Sequence, residues 1–184
     1  MYTSEGHQHY EGATGSPLHP IAPGGSGSHI GSVPPQGRRY QTETNSPFPA
    51  PNISGPPPFR DAGGQGVWVG SAILEKSVHP CKLGPHLDPL VRVPYGGIEY
   101  GHYGRYDLLP VTEDHEWVPA SYGHIPQGRR PVDGGYEESG ERLHHAIAVI
   151  DGISVPGKTA PHLEGALVAF GNVEARVEEG YWIL

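Results

Sequence analysis

The sequence predicts an all-β protein made of two tandem, pseudo-symmetric antiparallel repeats of sandwich or prism type, preceded by a disordered Pro/Gly-rich N-terminal segment. Three observations carry that reading. A group of short motifs occurs twice at a spacing of 76 residues, and a fixed offset of that length marks two copies of one structural unit. Short β-branched and aromatic runs recur between Gly and Pro turn signals. No window sustains a helical period.

The Gly and Pro excess is local. Residues 1–60 hold 11 of the 21 prolines and 9 of the 28 glycines, with no Trp, Cys or Lys. The first 28 residues offer too little apolar surface to offset their ordering entropy and are expected to be disordered. His7, His9, His19 and His29 are loosely spaced with no Cys among them, and His144-His145 has no third partner, so neither set reads as a metal site. No metal or other cofactor is expected. Residues 29–40 read equally as a degenerate first strand of repeat one, because 31–39 echoes 123–130, or as Pro-rich linker. The segment 1–57 is therefore set apart from repeat one at 58–115 and repeat two at 116–184.

Strands are predicted at 67–74, 90–93 and 106–109, each stopped by polar residues, Gly or Pro. Repeat two opens at Trp117-Val118 and places its strands at 143–150, 166–170 and 181–184. Trp68, Trp117 and Trp182 stand in these runs and are expected in the core.

Charge narrows the partners. The net −8 falls within residues 61–184, because three acids and three arginines cancel in the first 60. An acidic body with three lysines repels phosphate backbones, which argues against nucleic acid. No apolar run is long enough for a membrane span, and the first residues lack a signal-peptide segment. With Cys81 alone no intrachain disulfide forms, which fits a reducing compartment. A cytoplasmic location is expected.

The doubled register singles out three polar positions. At an offset of 76, Asp61 stands with Glu137 and Lys82 with Lys158; after a one-residue slip, Glu99 stands with Glu174. Each copy thus keeps an acid, a Lys and a second acid. Without that duplication, Asp61–Lys82 and Glu137–Lys158 would read as surface ion pairs worth about 0–1 kcal/mol each. Lys is scarce elsewhere, only Lys76 lying outside the motif, so the doubling favours a binding role.

The pattern Trp117-Val118, Gly123, Ile125-Pro126, Gly135-Tyr136-Glu137, Pro156-Gly157-Lys158 and His162-Leu163-Glu164-Gly165-Ala166 resembles the DM-nine repeat family, over roughly residues 61–184. That family includes mannose-binding lectins of oysters and the lectin-like part of natterin-type proteins. The resemblance implies a carbohydrate-binding lectin for mannose or mannose-containing glycans, with one site per repeat and a homodimer as its assembly. The first site would be Asp61 with Lys82, the second Glu137 with Lys158, and Glu99 and Glu174 would be secondary contacts. Repeat one departs from the pattern in Pro80-Cys81-Lys82 and in lacking an opening Trp. Repeat two keeps it more fully, so its pocket is expected first. His86 and His162 read as turn buttresses.

The chemistry suits a sugar. Neighbouring pyranose hydroxyls donate and accept together; a carboxylate accepts from them and an ammonium donates to them. Catalysis is not expected. A glycan-processing enzyme would need an acid pair such as Glu137 and Glu174 across a deep cleft. A structural or protein-interaction module, its contacts on a Pro-rich tail in polyproline form, is the other reading.

Overall fold

The runs rich in β-branched and aromatic residues do form strands, divided by Gly and Pro turns. The computed structural model describes residues 38–184; the expectations for residues 1–37 lie outside it. The first half carries β1 (Tyr40–Glu43), a short helix α1 (Pro51–Ser54), β2 (Phe59–Arg60), β3 (Gly66–Ile73), β4 (Val78–Leu83), β5 (Val91–Tyr95), β6 (Ile98–His102) and β7 (Arg105–Leu109). The second half carries β8 (Val118–Ala120), β9 (Asp133–Tyr136), β10 (Arg142–Ile150), β11 (Ile153–Ala160), β12 (Gly165–Phe170), β13 (Val173–Val177) and β14 (Tyr181–Ile183). A 3-10 turn at Pro161–Leu163 separates β11 from β12. The fold is all-β.

Neighbouring strands run antiparallel in the order β1-β7-β3-β4-β5-β6-β13-β12-β11-β10-β14-β8. β9 pairs with β10 and also meets β4 at Val78↔Tyr136. Strands β4, β5, β6, β13, β12, β11, β10 and β9 therefore close into a barrel, with the others as flanking strands, where the sequence suggested a sandwich or prism. Gly135 permits the closure: a Cβ there would lie 2.0 Å from the Val78 carbonyl oxygen. Two-residue turns with positive φ at both positions, Gly96-Gly97 and Gly171-Asn172, join β5 to β6 and β12 to β13, as tight hairpins require.

The two Lys motifs lie in strands, not loops. Pro80 in β4 and Pro156 in β11 are tolerated because each sits where one edge of its strand is unpaired: β5 meets β4 only at Lys82 and Leu83, and β12 meets β11 only from Gly157 onward. Pro94, expected to end its strand, sits inside β5 beyond the reach of β4.

Buried Leu83, Val91, Val93, Tyr106 and Leu108 form one core; Ala146, Val155, Val168, Tyr181 and Ile183 form another. A third cluster, Val69, Leu109 and Leu184 with Phe59 and Trp117, lies apart from both. Burying each large side chain contributes about 1.5–3 kcal/mol.

Residues 38–57 belong to the folded body. β1 pairs with β7, the Phe48 ring stands 4.9 Å from Trp68, and Trp68 Nε1 donates to the Gly55 carbonyl at 3.3 Å. A few apolar residues, Phe48 above all, anchor a stretch whose average composition reads as linker. The register places Tyr40 opposite Leu108 as Val118 lies opposite Ile183, so Arg39 stands where the second half has Trp117. Arg39 inserts into a buried polar network. Its Nη1 donates to Asp107 Oδ1 at 2.9 Å and reaches Ser71 Oγ at 3.4 Å; its Nη2 donates to the Asp133 carbonyl and stands 3.0 Å from His145 Nε2. Among the described residues no helix is long and apolar enough to cross a membrane.

Burial raises the Asp107 carboxyl above its ordinary value, with Arg39 pulling the other way. Arg39→Ala would leave that buried carboxylate with the Ser71 N–H, at 3.1 Å, but without an opposite charge, and a urea titration should show a loss of about 3–5 kcal/mol near neutral pH. The deficit relative to wild type should shrink on acidification, because a raised pKa lets the folded variant take up a proton before the unfolded chain does. A deficit that grows towards low pH would contradict this assignment.

Candidate functional site

The candidate residues fall into two clusters, each mounted on the same three pieces of local structure. The first acid follows a short strand, Asp61 after β2 and Glu137 after β9. The Lys stands towards the end of a longer strand, Lys82 in β4 opposite Val69 and Lys158 in β11 opposite His145. The second acid sits just past a hairpin turn, Glu99 in β6 and Glu174 in β13.

In the first cluster Lys82 Nζ lies 2.9 Å from Glu99 Oε1 and donates to the Ala169 carbonyl at 2.7 Å. Burial would raise the Glu99 carboxyl, but hydrogen bonds from Lys82 and from the Asn172 N–H, at 3.0 Å, hold it below its ordinary value. Asp61 does not pair with Lys82. Its Oδ2 meets His86 Nε2 at 2.6 Å, and its Oδ1 accepts from the N–H groups of Gly63 and Gln65, each at 2.9 Å. Burial pushes the Asp61 carboxyl up, but these hydrogen bonds outweigh it and lower its pKa. Asp61 and Lys82 share the wall of a cavity of about 200 Å³, whose opposite wall comes from the second half: Ile153, Val155, Pro156, Phe170 and Gly171. The two charged groups and Val67 come from the first half, and the second half's lining is apolar apart from Ser154.

The second cluster is more deeply buried, with longer ion-pair distances. Lys158 Nζ lies 3.7 Å from Glu137 Oε1 and 3.6 Å from Glu174 Oε1, with its side chain 4% exposed against 14% for Lys82. It also meets His79 Nδ1 at 3.2 Å and the Tyr95 ring at 5.6 Å from its centroid. His79 Nε2 is 3.0 Å from Ser77 Oγ and 3.6 Å from Glu137 Oε2. Burial, with the Lys158 charge beside it, pushes His79 down to about 3, so its approach to Glu137 is that of a neutral imidazole and not an ion pair. His162 Nε2 lies 3.9 Å from Glu137. Glu174 Oε2 accepts from the Gly97 N–H at 2.8 Å.

Each cluster therefore gathers its acid, Lys and second acid, and each borrows from the opposite half. Sequence reasoning missed four contributors: His79 and Tyr95 at Lys158, and Val155 and Phe170 at Lys82. The signal was available, since Val155 follows His79 by 76 residues and Phe170 follows Tyr95 by 75. His86 and His162, read as turn buttresses, both reach the first acid of their half. The expectation that repeat two offers the pocket meets the opposite geometry, because the cavity opens at Lys82. Among the described residues, no three His, Cys, Asp or Glu are placed to hold a metal ion.

A family model for the DM9 repeat matches residues 61–177. The chain belongs to the DM9 repeat family. Among solved structures, this DM9 protein is similar to the nematode sperm cell motility protein MFP2B, with a TM-score of 0.56 and 14% identity over 79% of this chain and 45% of that one. At that identity the likeness shows a shared fold, and the DM9 chain spans less than half the length of the nematode protein. No curated protein matches.

Three buried histidines, His79, His102 and His145, and the half-buried His144 have their pKa lowered, in each case chiefly by desolvation. A lowered folded pKa means the unfolded chain takes up protons first, so stability present above about pH 6.5 is lost as pH falls. His79 alone should remove about 1.4 kcal/mol per pH unit below that point. Urea midpoints should therefore drop steadily from pH 7 to pH 5, and a flat profile would be inconsistent with these neutral histidines.

Proposed function

We propose that this DM9 protein is a carbohydrate-binding lectin without catalysis, directed at mannose or mannose-containing glycans. The observation that carries this is the cavity at Lys82. It pairs an acid and an ammonium on one wall with apolar Val155 and Phe170 on the other, and a pyranose has hydroxyl edges and C–H faces to match. Charged hydrogen bonds of this kind contribute about 1.5–3 kcal/mol each before ordering costs. A single shallow site then gives a dissociation constant on the order of a millimolar, about 4 kcal/mol.

The reading of the chain as two pseudo-symmetric repeats belongs to the same proposal. It is supported by a strand order that runs alike from either end and by ladder registers that correspond at offsets of 75 and 76. A lectin gains from duplication through avidity. Against an enzyme, the Lys stands between the two acids of the second cluster, and Glu99 is held below the range a general acid needs. A homodimer and a cytoplasmic setting are further parts of the proposal. The second reading, an interaction module, is favoured by exposed Tyr95, Ile98, Tyr100 and Val173 at the β6–β13 junction.

A glycan array with wild type and Lys82→Ala should show mannose-type binding that the substitution reduces at least about tenfold, the loss of one charged hydrogen bond. Undiminished binding by Lys82→Ala would remove the assigned site, and silence of the wild type on every glycan would remove the lectin reading. Deleting residues 1–37, which spares Arg39 and β1, should leave glycan binding intact. If that deletion instead abolishes association with a protein partner while no glycan binds, the interaction module is the better account.

A further inference from the structure

His79 reaches across from the first half to Lys158 of the second cluster. An ammonium can only donate, so the 3.2 Å contact makes His79 Nδ1 the acceptor from Lys158. The ring hydrogen of a neutral imidazole is then on Nε2, which stands 3.0 Å from Ser77 Oγ and faces Glu137 at 3.6 Å. One ring thus accepts from the Lys, as a ligand hydroxyl would, while its single N–H is within hydrogen-bond reach of Ser77 Oγ and stands next to, but not on, Glu137. The Tyr95 ring packs edge-on to His79, with centroids 4.9 Å apart, and covers Lys158 as well.

The first cluster has nothing comparable. The position 76 residues after His79 is Val155, which has no side-chain donor or acceptor, and the position 75 after Tyr95 is Phe170. Both line the open cavity beside Asp61 and Lys82. Asp61 and Lys82 remain apart there, with room between the two walls for a ligand.

We propose that the second site is plugged from within by His79 under Tyr95, so that the protein is a one-site lectin whose ligand enters at Lys82. The plug substitutes for a ligand hydroxyl at Lys158 and stands in the space beside Glu137, which keeps the buried ammonium hydrogen-bonded. The proposal rests on the lectin reading for its ligand, but the plug itself is a statement about access to Lys158.

Two measurements on the full chain separate these levels. Under limited acylation with an amine-reactive ester, read by peptide mass spectrometry, Lys82 should react several-fold faster than Lys158. His79→Val, and independently Tyr95→Ala, should raise the Lys158 rate towards that of Lys82. Equal rates in the wild type would overturn the plug. In an NMR titration with methyl α-D-mannopyranoside, wild type should bind one equivalent, Lys158→Ala should bind as wild type does, and His79→Val should bind two. Two equivalents in the wild type, or a reactive Lys158 in His79→Val with no second equivalent, would overturn the proposal. If neither protein binds the mannoside, the mannose reading fails, while the acylation result still decides whether Lys158 is covered from within.

Discussion

The arrangement depends on two carboxylates that each serve both halves of the molecule. Glu99 holds Lys82 of its own half and accepts from the Asn172 N–H in the hairpin turn of the other. Glu174 contacts Lys158 of its own half and accepts from the Gly97 N–H in the opposite turn. Between these clasps the halves share a single paired position, Val173↔Ile98. The ladder there is short, so the reciprocal carboxylate bonds set how the hairpins meet, and through them where each Lys stands against the other half. Charge-assisted bonds are strong and directional enough for that task.

The same scaffold carries two different fillings. Where the second half places Trp117, against Phe59 at 5.7 Å, the first half sends Arg39 into a polar network of Asp107, Ser71 and His145. Where the first half places His79 over the other's Lys, the second places Val155. A polar group was thus introduced on one side in each pair, and each needs its own partners because an unmade buried hydrogen bond is costly. Arg39 also explains why the folded body begins ahead of the region rich in strand signals. Its side chain reaches the carboxylate of β7, the carbonyl of β9 and the imidazole of β10, which no linker residue would do.

The barrel shapes the second cluster, and the flanking β2–β3 hairpin closes the cavity at the first. Closing β9 against β4 brings the end of β9, and with it Glu137, under the start of β4, where Ser77 and His79 lie. On the other side, Asp61 after β2 faces β11 residues Ile153, Val155 and Pro156 across open space. The chain is a member of the DM9 repeat family, and its likeness to a nematode motility protein at 14% identity is a likeness of fold alone.

Much of this was legible from residues alone. The strands β3, β5, β7, β10, β12 and β14 follow from β-branched and aromatic runs, and the acid–Lys–acid sets follow from the doubled register. Both are local or self-referential properties, which a single chain displays in full. The strands β4 and β11 were hidden because Pro80, Pro156 and Gly157 speak against strands; only the pairing partners reveal that those positions lie on unpaired edges. The cavity, its apolar wall and the covering of Lys158 were hidden for the same reason. They are made by residues about 70 to 90 positions away in sequence, brought together by barrel closure, and no local pattern encodes which half leans on which. Sequence by itself determined which polar groups recur together, and the tertiary structure alone decided which Lys borders an open cavity and which is covered by the opposite half.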